Sequence, residues 1–189
     1  MLKKFFVDKN CFFYAVDSNS SIIDECNKIN LLLKYDNIDF VKDRTIQFIP
    51  KKEVDIVIGL HACDSATDEI IAKGIKCNAK FIIVVPCCQN QIRTELGEDH
   101  PLKFLTEFGL LRYRFSNMLT DGLRSQFLQY SGYTVELKEI VPKKVTPKNL
   151  IIIARRKRRK KENPVNKFKV LNEMFDLQPK ILDYFPDYF

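Results

Sequence analysis

At 189 residues, 46% hydrophobic and 29% charged, the chain suits one globular domain with a real core, which excludes bulk disorder. No apolar run approaches the roughly 20 residues of a membrane span. Residues Met1 to Asp8 offer only Phe5-Phe6-Val7 before an acidic residue, too short for a secretory leader. A cytoplasmic protein without a membrane partner is therefore expected. The net charge of +7 is local: Arg155–Lys161 holds seven positive charges, and elsewhere 24 Lys and Arg balance 24 Asp and Glu.

In chain order, Cys11–Asp17 is an apolar run ending in a carboxylate and predicts a buried strand. The N-cap residues Ser18–Ser21 then open a helix with Ile22, Cys26, Ile29 and Leu33 at helical spacing, ended by Asp36-Asn37. Ile38–Asp43 alternates as a short strand, and Val54–Leu60 is a mostly apolar one. Ser65-Ala-Thr-Asp68 is a capping-box pattern that starts a helix reaching about Cys77. Lys80–Pro86 is the most strand-like run. Residues 101–131 read as helical with a break near Gly109, and Tyr133–Ile140 alternates as a half-buried strand. A polar connection, Pro142–Pro147, leads to the last strand, Asn149–Ala154, and the basic run follows directly. The tail Phe168–Phe189 carries Val170, Leu171, Met174, Phe175, Leu177, Ile181, Leu182 and Phe185, and predicts a short helical return onto the body, with a partner-binding helix as the alternative.

Alternating strands and helices predict a parallel sheet covered on both faces. The last two strands are joined by too few residues for a parallel crossover, so they predict an antiparallel hairpin. The expected fold is thus α/β, a Rossmann-like, mostly parallel sheet with a C-terminal hairpin. Its expected boundaries are a domain over 1–155 and a basic linker with a helical tail over 156–189.

Chemistry-bearing residues gather at strand ends, where ligands bind in open α/β sheets. Asp17 is placed to accept bonds from the ribose hydroxyls of a nucleoside cofactor, or to cap the next helix. Asp43 ends the following strand and is either an acceptor for an adenine amino group or a turn aspartate. Leu60-His61-Ala62-Cys63-Asp64 and Pro86-Cys87-Cys88-Gln89 each follow a buried strand and should be neighbours, bringing His61, Cys63, Cys87 and Cys88 together. Neither H-x-C nor adjacent C-C is a usual zinc spacing, so no metal is expected. The six cysteines mostly fall in apolar runs and read as reduced thiols. Asp121 and Arg124 can share a helix face, as a surface ion pair or as a grip on substrate. The basic run reads as a salt-sensitive RNA tether or as a solvated linker.

Three motifs in order, Leu60-His-Ala-Cys-Asp-Ser-Ala-Thr-Asp68, Val85-Pro-Cys-Cys-Gln89 and Leu119-Thr-Asp-Gly-Leu-Arg124, resemble a bacterial branch of the class I S-adenosylmethionine-dependent methyltransferases. A similar H-x-C…CC arrangement marks a tRNA ribose methyltransferase family. The resemblance, over about residues 11–155, implies S-adenosylmethionine as cofactor and a strand order 3-2-1-4-5-7-6. It implies that Asp17, Asp43 and Leu60 contact the cofactor and that His61, Cys63 and Asp64 line the site of methyl transfer. Cys87, Cys88, Gln89, Asp121 and Arg124 would then face the substrate, which an RNA would supply. Such domains open with a strand and a Gly-rich turn, whereas the first glycine here is Gly59. The expectation is a domain lacking that strand, with weak cofactor binding. An inactive remnant or nucleic-acid-binding module is the alternative.

Overall fold

The computed structural model describes residues 11–60, 62, 64–87, 89–141, 146, 149–157 and 166–186. The chain divides into two compact units, 1–52 and 53–189. The tail therefore belongs to the second unit instead of starting a part of its own after residue 155.

In the first unit, β1 (Phe13–Asp17) and β2 (Ile38–Lys42) pair in parallel from Phe13↔Ile38 to Asp17↔Lys42. They are joined by α1 (Ser20–Leu33), capped by the Asn19 side chain on the Ser21 amide. Lys34 ends the helix in the left-handed region, φ 54°, and donates to the Asn30 carbonyl. The helix is where the periodicity put it, but its buried stripe is not. Ile22, Ile29 and Leu33 are exposed, and the covered positions are Ile23, Cys26 and Asn30. With Ile22 and Ile23 adjacent, two overlapping stripes satisfy a helical period, and packing selects the one that reaches the strands.

The second unit holds β3 (Ile56–Leu60), α2 (Ser65–Lys76), β4 (Phe81–Val85), α3 (Asn90–Glu95), α4 (Lys103–Thr106) and α5 (Gly109–Tyr130). It continues with β5 (Tyr133–Glu139), β6 (Leu150–Arg156), α6 (Lys167–Met174) and a 3-10 turn over Lys180–Tyr184. The sheet order is β3-β4-β6-β5. β3 and β4 are parallel, while β6 runs antiparallel to both β4 and β5. The predicted hairpin is present, from Tyr133↔Arg156 to Glu139↔Leu150. The expectation of one mostly parallel sheet is corrected: the described residues form two sheets, and insertion of β6 makes half of their strand pairings antiparallel. Taken singly, the sheets reproduce the 2-3 and 4-5-7-6 runs of the implied order.

Ile71, Ile82, Val84, Leu123, Phe127, Leu128 and Ile152 form the centre of the core. α2 lies close on the sheet because glycines leave room: a Cβ on Gly59 would sit 2.6 Å from Ile70 Cδ1, and one on Gly74 2.6 Å from Ile82 Cγ1. Among the described residues of the second unit, Ile56, Ile58 and Leu60 on the other side of β3 are 51%, 51% and 66% exposed. The tail returns as expected, burying Phe168, Phe175, Leu177 and Ile181. The Phe127 ring meets those of Phe168 and Phe185, each at 5.2 Å. The basic run does not begin as a linker, because β6 extends through Arg156, whose amide donates to Lys80 O at 2.9 Å. Residues 158–165 lie outside the described residues. Among those described, no helix is long and apolar enough to cross a membrane.

Candidate active site

Leu60 of β3 is in register with Val85 of the parallel β4, so the loops after both strands leave from one end of the sheet. The hydrogen bond from the Gln91 amide to Asp64 Oδ1, 3.2 Å, joins them. Neighbouring loops were expected; the side chains of His61, Cys63 and Cys88 lie outside the described residues. Cys87 is half-buried, and Leu60 points outward. Among the described residues no three His, Cys, Asp or Glu side chains gather as a metal site.

The turn between β3 and α2 is held at several atoms. Thr67 Oγ1 donates to Ala62 O at 2.6 Å, and the Thr67 amide donates to Asp64 O at 3.1 Å. Asp64 sits at φ 50°, ψ −118°, a conformation usual for glycine, and its side chain does not cap its own helix. Its carboxylate instead accepts from the second residue of α3, where the exposed amides of a helix start favour an anion. Gln91 reaches onward: its side chain donates to Gln178 O at 2.9 Å and accepts from the Lys180 amide at 3.1 Å, tying the tail to α3.

Asp121 and Arg124 are not a surface pair. Arg124 is 2% exposed and Asp121 is buried, on the face of α5 whose side chains reach Asp68 of α2 and Gln89 in the loop after β4. The Arg124 guanidinium takes Asp68 in two bonds, Nε to Oδ1 at 2.8 Å and Nη2 to Oδ2 at 3.1 Å. Nη2 also donates to Asp64 O at 2.8 Å, and Nη1 to Asp121 Oδ1 at 3.3 Å. Gln89 Nε2 donates to Asp121 Oδ2 at 3.1 Å. Burial pushes the Asp121 carboxyl above its ordinary range, with Arg124 and Gln89 pulling the other way. Burial alone would lower the Arg124 pKa, but Asp68 and Asp121 more than offset it, so the guanidinium stays charged. Sequence reading missed Asp68 and Gln91 as members of this network. Asp68 had been read only as part of a cap, and nothing in its local pattern points to a partner on α5.

His100, the other histidine, belongs to the core and not to this edge. Its Nδ1 accepts from the Leu102 amide at 3.2 Å, which leaves the proton on Nε2, 3.0 Å from Thr106 Oγ1. Burial, followed by the nearby Arg112, lowers its pKa.

In the first unit, Asp17 and Asp43 stand half-buried at the ends of adjacent parallel strands, and the Asp43 amide donates to Asp17 O at 3.1 Å. Asp17 Oδ1 accepts from the Asn19 amide at 2.8 Å, and Asp43 Oδ1 from the Arg44 amide at 2.7 Å. Asp17 thus shapes the entry to α1 but, contrary to the capping alternative, does not cap it, because Asn19 takes the cap position. Each carboxylate retains acceptor capacity, which fits hydroxyl and amino donors of a nucleoside.

An α/β fold with polar groups at the carboxyl ends of parallel strands defines the class that binds nucleotide-like ligands there. A family model described as a methyltransferase domain matches residues 1–95. The chain belongs to that methyltransferase family, and the expected enzyme class and cofactor, S-adenosylmethionine, agree with it. The chain is also similar to the crystal structure of magnesium protoporphyrin IX methyltransferase from Synechocystis PCC 6803 with bound SAH, at TM-score 0.45 and 15% identity. That match covers 77% of this chain and 64% of the other, so the chain spans under two thirds of that protein. No curated protein matches.

Proposed function

We propose that the chain transfers a methyl group from S-adenosylmethionine to RNA. The observation that carries the reading is the pair of half-buried carboxylates, Asp17 and Asp43, at neighbouring parallel strand ends within a methyltransferase-family segment. S-adenosylmethionine supplies an electrophilic methyl group when bound. Asp17 accepts from ribose hydroxyls and Asp43 from the adenine amino group. In the second unit, the motif residues His61, Cys63, Cys87, Cys88 and Gln89 serve the transfer step, with His61 as the base that takes the acceptor's proton.

Incubation with methyl-labelled S-adenosylmethionine at millimolar concentration and bulk tRNA should place label in the RNA. The His61→Ala variant should slow this by about 100-fold, the scale of a lost general base. RNA binding without label incorporation would favour the nucleic-acid-binding module instead. The basic run supports RNA as acceptor. A run of seven charges fully engaged on a single strand gives a log–log salt slope of about −5. Changing Arg158, Arg159, Lys160 and Lys161 to Gln should flatten that slope by about 3. An unchanged slope would leave the run as a linker.

A further inference from the structure

We infer that Arg124 and Asp64 are positioning residues, which hold the turn between β3 and α2 in its site-forming shape and do not touch substrate. The inference rests on the reading of that turn as the methyl-transfer site. Four described non-glycine residues have positive φ: Lys34, Asp64, Asn78 and Asp176. Three of them follow helices, where left-handed residues are common stops. Asp64 alone precedes one, and its ψ of −118° lies outside the left-handed helical well. An L-residue persists in such a conformation only when its surroundings over-determine it. Here the Asp64 carbonyl takes Arg124 Nη2 and the Thr67 amide, while its carboxylate takes the Gln91 amide.

Arg124 does more than one job with one plane. Its edge-on pairing with Asp68 fixes it to α2 one helical turn beyond Asp64, and the same Nη2 reaches the Asp64 carbonyl. Through Asp121 it also orders Gln89 in the second loop. Burial leaves Arg124 no surface for a substrate. A lysine keeps the charge but cannot serve Asp68 and Asp64 with a rigid fork.

The test is residue-resolved hydrogen exchange on the full chain. In Arg124→Lys, exchange of the Thr67 and Gln91 amides should quicken by about tenfold while Ile82 and Ile152 in the core strands keep their protection. Asp64→Ala should quicken Gln91 by a similar factor, and Asp64→Asn, which keeps an acceptor and tolerates positive φ, should restore it. In the methyl-transfer assay, Arg124→Lys should lower kcat with KM for S-adenosylmethionine unchanged. Unchanged exchange at Thr67 and Gln91, or a uniform rise across all amides, would overturn the positioning role. Absence of any transfer by the unaltered protein would sink the methyltransferase reading instead, and the exchange results would still decide whether these residues hold the turn.

Discussion

Replacing Arg124 by Met should lower unfolding free energy by about 3–5 kcal/mol, the usual result of removing one member of a buried ion pair. The loss comes mainly from what remains. Asp68 and Asp121 are buried and would be left without their cation. Changing Asp68 to Leu in the same chain should recover a large part of the loss, because a buried charge without a partner is removed. The pH dependence has a definite sign. A carboxyl whose folded pKa is raised binds its proton more tightly folded than unfolded, so stability falls as pH rises from the unfolded value through the folded one. In Arg124→Met, Asp121 loses the guanidinium that opposes the effect of its burial, and the deficit against the unaltered protein should shrink on acidification. Denaturant melts at several pH values test both points; a loss under about 1 kcal/mol at neutral pH, the scale of an exposed pair, would contradict the buried network.

Truncating Phe127 to Ala should cost about 3–5 kcal/mol, the range for large core aromatics. Phe127 is fully buried and its ring contacts both Phe168 on α6 and Phe185 just after the 3-10 turn. The variant should therefore loosen the tail as well as the core. Limited proteolysis should cut between residues 166 and 186 well before the strands are attacked, whereas the unaltered protein resists there. A melt unchanged within error, or a tail equally resistant in both proteins, would show that the tail is held elsewhere.

Local pattern carried much of the fold. The strand runs, the break before Gly109 and the hairpin after Gly132 were all legible, because each depends on periodicity or connection length over a few residues. Features set by distant partners were not. The antiparallel insertion of β6 between β4 and β5 depends on pairing across long separations, and that same pairing draws Arg155 and Arg156 into a strand despite their charge. Helix α3 covers only Asn90–Glu95, too short for a periodic signal. At the site, the edge position of the two loops could be read, since each follows a strand of a parallel pair. The spacing of Asp121 and Arg124 revealed a pair but not its burial. Asp68 is 56 residues from Arg124 in sequence, and only the reach of the Arg124 side chain from α5 to α2 in the folded chain brings them together.

The most direct test of methyl-donor recognition is an amide NMR titration of the chain with S-adenosylmethionine into the millimolar range. Saturable shifts are expected at Asp17, Asn19, Asp43 and Arg44, weakened by about tenfold in Asp17→Asn, where an ionised acceptor becomes neutral. Shifts elsewhere only, or an affinity indifferent to Asp17→Asn, would contradict the placement of the donor at these strand ends.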